Sequence, residues 1–468
     1  MAFNSFSFVI FFLVFFALWP LLKKGNHSRW IFLTLASFIF YAWWDWRFLF
    51  LIIFSGLIDY IAGIAMSRKP QYRKIWLIFS LIGNLGSLIL FKYSYFLSYN
   101  LDKLLNHFGL HADIHSHIPE FFLLLPVGIS FYTFQSMSYT IDIYRGRLSY
   151  VKNIFHFFAY LSMFPQLVAG PIIRAKDLLT QLSSDRKTTK IQLWHGFRLV
   201  ITGFFQKTVL ADHIAVMVNH YFNADTPDTG AFNWWIATVG FAFQIYFDFS
   251  GYSLIARGLA KMMGYHFKMN FNHPYLASTL KNFWQRWHIS LSSWFRDYVY
   301  FALGGSRHGK YLSLFYMTVT MLLSGLWHGA AFTFIIWGFI HAIALGTERF
   351  NPLFKTTSIR FIRYCITMFI VVIAWVYFRA GTVEKADHIL SLMFSAKTSI
   401  IPFKQFFSSY LFLGISFLIE ILYFIKSKNK LLHSFANNNT VMVSQLFIMI
   451  LMVLFLRGPE QVFIYFQF

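Results

Sequence analysis

The sequence predicts an all-α fold: a polytopic integral membrane protein of about 11 to 12 transmembrane helices, with re-entrant or interfacial helices beside them. Three observations predict it. The 468 residues are 57% hydrophobic and 22% aromatic but only 12% charged, about half the charge of an ordinary soluble domain. With 61 Phe the chain cannot cover itself for water, so lipid must solvate much of its surface. Apolar segments of membrane length also recur from end to end.

In order they are 6–22, 30–44, 48–66, 75–91, 121–141, 155–168, 194–218, 234–247, 311–326, 332–345, 361–378, 406–425 and 441–456. Several fall short of the roughly 20 residues that cross about 30 Å of hydrocarbon, so some must extend further, lie re-entrant or sit inside the bundle. The first lacks a basic leading region and a small-residue cleavage site, which predicts a retained helix and not a signal peptide. Trp43, Trp44 and Trp46 stand between apolar runs with Asp45 and Arg47, the pattern of an interfacial anchor.

The net charge of +22 suggests nucleic acid in a soluble chain. Here the cations sit in short loops: Lys23, Lys24 and Arg29, then Arg68, Lys69, Arg73 and Lys74, then Arg145, Arg147 and Lys152. Poorly charged loops alternate with them, which predicts a cytoplasmic face for the basic loops and an extracytoplasmic N-terminus. Anionic headgroups of membrane lipids supply the partner, and no nucleic acid is needed. The single cysteine, Cys365, lies in an apolar run and reads as packing.

The polar stretches 93–120, 174–192, 221–232 and 348–358 are loop-like, and the sequence has no low-complexity tract or internal repeat. One membrane domain over 1–468 is expected, with a motif-rich core at 165–345. In that core Gly, Pro, His, Asp, Asn and Arg interrupt the apolar background. Such residues are costly at membrane depth, so they imply a protein-lined cavity and a substrate.

The sharpest group is Gly325-Leu326-Trp327-His328-Gly329-Ala330. Glycines on both sides permit close approach of substrate or backbone. A histidine there can take and return a proton near neutral pH, or hydrogen-bond across helices as a structural group. The second group runs from Asn282 to Tyr298. At helical spacing Trp284, Trp287, His288, Leu291 and Phe295 share one face, while Arg286, Ser290, Ser293 and Asp297 tend towards another. Arg286 and Arg296 are too much charge for lipid exposure, which predicts a surface or re-entrant amphipathic helix. They suit a phosphate or carboxylate on an arriving donor or carrier, or serve as a basic anchor. If that helix dips into the cavity floor, His288 joins His328 there as a proton carrier, hydrogen-bond donor or orienting group.

The other groups are weaker. No metal is expected: the 17 His include no His-Glu-x-x-His, and His107, His111, His115 and His117 read as a polar loop. Gly304-Gly305-Ser306-Arg307-His308-Gly309 reads as a tight turn, not a phosphate loop. From Pro165 to Arg174, prolines and glycine break a helix, and Gln166 either lines the cavity or caps a turn. Gln244, Asp248 and Ser250 pose the same question, and Asp248 among aromatics needs a basic or hydroxyl partner.

Together, the segment from Asn270 to Tyr275, the run Phe283–Tyr298, Leu303–Arg307, Gly325–Ala330 and Ala169–Arg174 resemble the membrane-bound O-acyltransferase family. Within it they resemble the bacterial branch of alginate O-acetylation and teichoic-acid D-alanylation, and Phe463-Ile464-Tyr465-Phe466-Gln467-Phe468 resembles the ending of the alginate-type members. The resemblance implies tilted helices around a thinned centre, with a tunnel joining a cytoplasmic donor to an extracytoplasmic acceptor. It implies His328 as the family's essential histidine and His288 as its second. Trp327, Gln166, Asp248, Arg286, Arg296, Asp297 and Asn270 are the substrate-binding or cavity-lining candidates.

It further implies no cofactor, a donor such as acetyl-CoA or another acyl thioester or acyl carrier, and a separate extracytoplasmic polysaccharide acetyltransferase as partner, in a bacterial cytoplasmic (inner) membrane. Acetyl transfer to an exported polysaccharide is the expected activity. D-alanyl transfer from a carrier protein is the alternative within the family. A secondary transporter, usually built from paired repeats, is the alternative outside it.

Overall fold

The computed structural model describes residues 1–167, 170–184, 188–223, 230–351, 360–398, 401–436 and 438–466. Val168 and Ala169 of the Pro165–Arg174 motif, the inner parts of three polar stretches (185–187, 224–229 and 352–359), and Gln467 and Phe468 lie outside the described residues. Every regular element among the described residues is helical. Trp46–Arg68, Pro70–His107, Lys190–Asn223, Arg360–Ala380 and Phe407–Lys428 are long and apolar enough to cross a membrane, and the shorter Phe6–Leu22 and Asn439–Phe455 are also apolar. Other apolar segments form helices with buried polar groups, such as Ile129–Tyr144, Lys310–His328 and Phe332–Phe350.

The chain forms two compact units, one of Met1–Phe197 with Ala256–Lys268 and one of Arg198–Ile255 with Met269–Phe468. In the first, Asp59 is fully buried and satisfied by polar side chains of neighbouring helices. Asn84 Nδ2 donates to its two oxygens at 3.0 and 2.9 Å, and the Ser80 and Ser136 hydroxyls donate as well. This offsets the desolvation of a carboxylate that has no basic neighbour in the network. Arg29, counted above among loop cations, is also buried, with Nη2 donating to Leu182 O at 2.7 Å. It ties two helices together and does not face headgroups. The stretch after Tyr93 is likewise not a loop: Ser94–His107 continues the preceding helix. Trp43, Trp44 and Trp46 are exposed beside the Asp45–Arg47 ion pair, as an interfacial belt requires.

The second unit holds both histidines of interest. Lys190–Asn223 runs through a wide π-helical turn at Phe205–Ala211, which puts Lys207 inside the unit. Lys310–His328 and Phe332–Phe350 form a tight hairpin. Any Cβ on Gly325 would overlap Phe334 O, and one on Gly338 would come within 2.5 Å of Met321 O. The glycines thus bring two backbones together, and no substrate is needed to explain them. Cys365 is exposed on Arg360–Ala380, because its position falls on the outer side of that helix and not on the packed one.

Candidate functional site

The expected continuous amphipathic helix around His288 is broken. Leu280–Trp284 ends, the chain turns, and Ile289–Phe295 begins with His288 as its N-cap at φ 41° and ψ 54°. A left-handed non-glycine residue costs about 1–2 kcal/mol, and hydrogen bonds from a distant segment offset it. Ile289 N donates to Asn270 O at 2.9 Å, Ser290 N and Oγ donate to Asn270 Oδ1 at 3.1 and 2.8 Å, and Asn272 N donates to Arg286 O at 2.9 Å. Helical periodicity carries no trace of such long-range partners. Asn270, expected to line the cavity, instead braces the turn that aims His288.

His288 is wholly buried, with its ring centroid 4.6 Å from Phe249, 5.9 Å from Trp327 and 6.3 Å from Tyr465. It lies outside the spanning helices, and burial pushes its imidazole down to about 3, so the ring is neutral. His328 ends the helix Lys310–His328. Its ring lies 4.9 Å from Trp327, 5.1 Å from Trp337, 5.1 Å from Phe378 and 5.7 Å from Tyr465. Trp327 and Tyr465 therefore touch both imidazoles, and the two histidines share one aromatic chamber although 40 residues separate them in sequence.

A cavity of about 970 Å³ lies in the same unit. Its wall includes Ile289, directly after His288, and Ser324, one helical turn before His328. Lys281, Arg296 and Arg349 supply positive charge, and Ser292, Ser293 and Thr320 supply hydroxyls. Glu348 accepts from Leu280 N at 2.5 Å, which caps the short helix carrying Lys281. Arg349 is braced by Ser313 Oγ at 2.6 Å and Tyr300 OH at 3.3 Å.

The expected lining residues divide. Arg296 lines the cavity while pairing with Asp297 at 2.8 Å. Arg286 turns to Asn282 Oδ1 at 2.9 Å and Asn272 O at 3.2 Å, holding the turn and not the cavity wall. Asp248 has the expected basic partner, Lys207, at 2.7 Å, and Lys207 also pairs with Asp212 at 2.8 Å. Gln166 belongs to the first unit, where its amide donates to Tyr160 O at 2.9 Å. Among the described residues one group has metal-ligand geometry, Asp102 with Asp113 and His115. There Asp102 already accepts from Ile114 N and His115 N, both at 2.9 Å, as a loop brace.

Sequence reasoning missed Tyr465, Trp337, Lys207, Asp212, Lys281 and Arg349. Lys207 and Asp212 carried a signal, as two ionisable residues within the apolar segment 194–218. Tyr465 stood in the terminal aromatic run that carries the resemblance, without an assigned role; Trp337, Lys281 and Arg349 carried no signal, since their neighbours come from remote parts of the chain.

Two buried imidazoles thus share an aromatic chamber beside a cationic cavity, in a chain with helices long and apolar enough to cross a membrane. The chain belongs to the membrane-bound O-acyltransferase family, whose model matches residues 15–383. It is 40% identical over 414 residues to a probable alginate O-acetylase AlgI of Pseudomonas aeruginosa, covering 85% of this chain and 76% of that protein. It is 33% identical over 396 residues to a peptidoglycan O-acetyltransferase of Helicobacter pylori, covering 78% and 73%. Similarity to a teichoic acid D-alanyltransferase of Bacillus subtilis is 29% over 255 residues, covering 51% and 64%. The chain is thus a multi-helix membrane enzyme, an O-acyltransferase, and the transporter alternative falls away.

Proposed function

We propose that this enzyme moves an acetyl group from a cytoplasmic thioester, acetyl-CoA or an acyl carrier, towards hydroxyls of an exported polysaccharide, and hands it to an extracytoplasmic transferase. The observation that carries this reading is the shared chamber of His288 and His328 against a cavity bearing Lys281, Arg296 and Arg349. Three cations suit the phosphates of a coenzyme or phosphopantetheine arm. The names of the Pseudomonas and Helicobacter relatives support acetyl as the cargo and a glycan as its destination.

In this reading His328 takes the proton of an attacking hydroxyl. The new C–O bond forms as the thioester C–S bond breaks, and the proton passes to the departing thiolate. Neutral His288 keeps one ring N–H, which suits donation to the developing oxyanion and not a second proton relay. Tyr465 brings a hydroxyl whose ring packs on both imidazoles, a first acceptor for a transient acyl ester before relay to the partner. The alternation of basic and poorly charged loops supports an N-terminus outside a bacterial cytoplasmic (inner) membrane.

The test is base-released acetate from the exported polysaccharide of cells holding intact protein or His328→Ala at equal membrane abundance. Loss of acetate in the variant supports the reading, and unchanged acetate overturns His328 as the base. D-alanyl transfer, named for the Bacillus relative, is the second reading, and D-alanine in place of acetate among the released products would establish it.

A further inference from the structure

The segment after Asn439–Phe455 returns to the middle of the second unit and is held at both of its ends. Gly458 N donates to Thr208 O at 2.7 Å. Lys207 Nζ, paired with Asp212 at 2.8 Å and Asp248 at 2.7 Å, also donates to Gln461 O at 3.1 Å. Asp248 Oδ2 accepts from Ile464 N at 2.8 Å. Lys207, Asp212 and Asp248 are each no more than 2% exposed.

A lysine with two carboxylates buried among apolar helices is expensive, and a hydrophobic replacement would stabilise the packing as well or better. What the triad provides that apolar side chains cannot is directional bonding to two backbone groups of one strap. The second of those groups belongs to the residue just before Tyr465. Phe463, between these anchors, packs 4.2 Å from Tyr252 and 5.8 Å from Phe249, the ring that also faces His288.

We propose that Lys207, with Asp212 and Asp248, is a positioning device: it locks the strap 458–464 in register and so sets Tyr465 between His288 and His328. The inference rests on the acyl-transfer reading above. It also reassigns Asp248 from the substrate to the strap.

The experiment uses full-length protein with Cys365→Ser and a nitroxide spin label on Val462→Cys, an outward position that is 62% exposed. Label mobility in lipid nanodiscs is read alongside acetate in cells at matched abundance. Lys207→Met is expected to mobilise the label and to lower acetate about 10- to 100-fold, the scale of an ångström of misplacement. Lys207→Arg is expected to restore much of both signals.

Ile464→Pro deletes the N–H that Asp248 accepts and leaves the buried triad intact. It is expected to do the same as Lys207→Met, and it decides the matter where Lys207→Met fails to accumulate. Full acetate with a mobile label, or lost acetate with a label as restrained as in the parent, overturns the proposal. If His328→Ala keeps its acetate, His328 is not the base, and label mobility alone still reports whether the triad holds the strap.

Discussion

His288 shows how one residue joins backbone and chemistry. Its left-handed backbone is held by Asn270, so removing that brace leaves Ser290 N–H without its side-chain acceptor. Asn270→Ala is expected to cost about 1–3 kcal/mol, read as a lower melting temperature in detergent together with reduced acetylation. His288→Asn is the informative partner, because asparagine tolerates the left-handed region. It is expected to keep abundance and melting temperature and to lose roughly 100-fold or more in rate, as for removal of an oxyanion donor. Tyr465→Phe keeps the ring packing and removes only the hydroxyl, so loss of acetate without loss of stability would assign the phenol a chemical role. Burial holds His288 neutral, so donation from its ring N–H should persist across the neutral pH range.

At the scale of elements, the hairpin Lys310–His328 and Phe332–Phe350 is a close backbone pairing that holds His328 at its turn. Gly338→Ala places a methyl 2.5 Å from Met321 O, an overlap with backbone that cannot be relieved by a rotamer. Overpacking of this kind costs about 1–3 kcal/mol, so a lower melting temperature and weaker acetylation are expected together. The cavity behaves differently. In the donor site proposed above, Arg349→Ala removes a cavity charge and touches no imidazole, so donor KM should rise with little change in kcat, and the salt dependence of binding should flatten. A fall in kcat alone would remove Arg349 from donor binding. The break at His288 belongs to this scale too, since a period of 3.6 residues can predict a helix face but not the irregular segment at Asn270–Asn272 that supplies its hydrogen bonds.

For the whole molecule, the alternation of basic and poorly charged loops predicts sidedness. In a Cys365→Ser background, His111→Cys should react with a membrane-impermeant maleimide in intact cells and Lys69→Cys should react only after lysis. The reverse pattern would turn the N-terminus inward and with it the direction of acyl movement.

The sequence by itself determined the solvent, the helical class and the family, and it singled out the two histidines. Those rest on composition, on runs of apolar residues and on contiguous motifs such as Gly325–Ala330, all of which are local in the chain. Only the tertiary structure decided that Asn270 and Arg286 brace a turn, that Asp248 serves Lys207 and the strap, that Cys365 faces outward, and that Trp327 and Tyr465 join His288 to His328. Most of these depend on a partner that folding brings in from elsewhere in the chain, such as Ile464 for Asp248, 216 positions on. A buried polar group must find some partner, and the sequence states that need without naming which remote residue meets it.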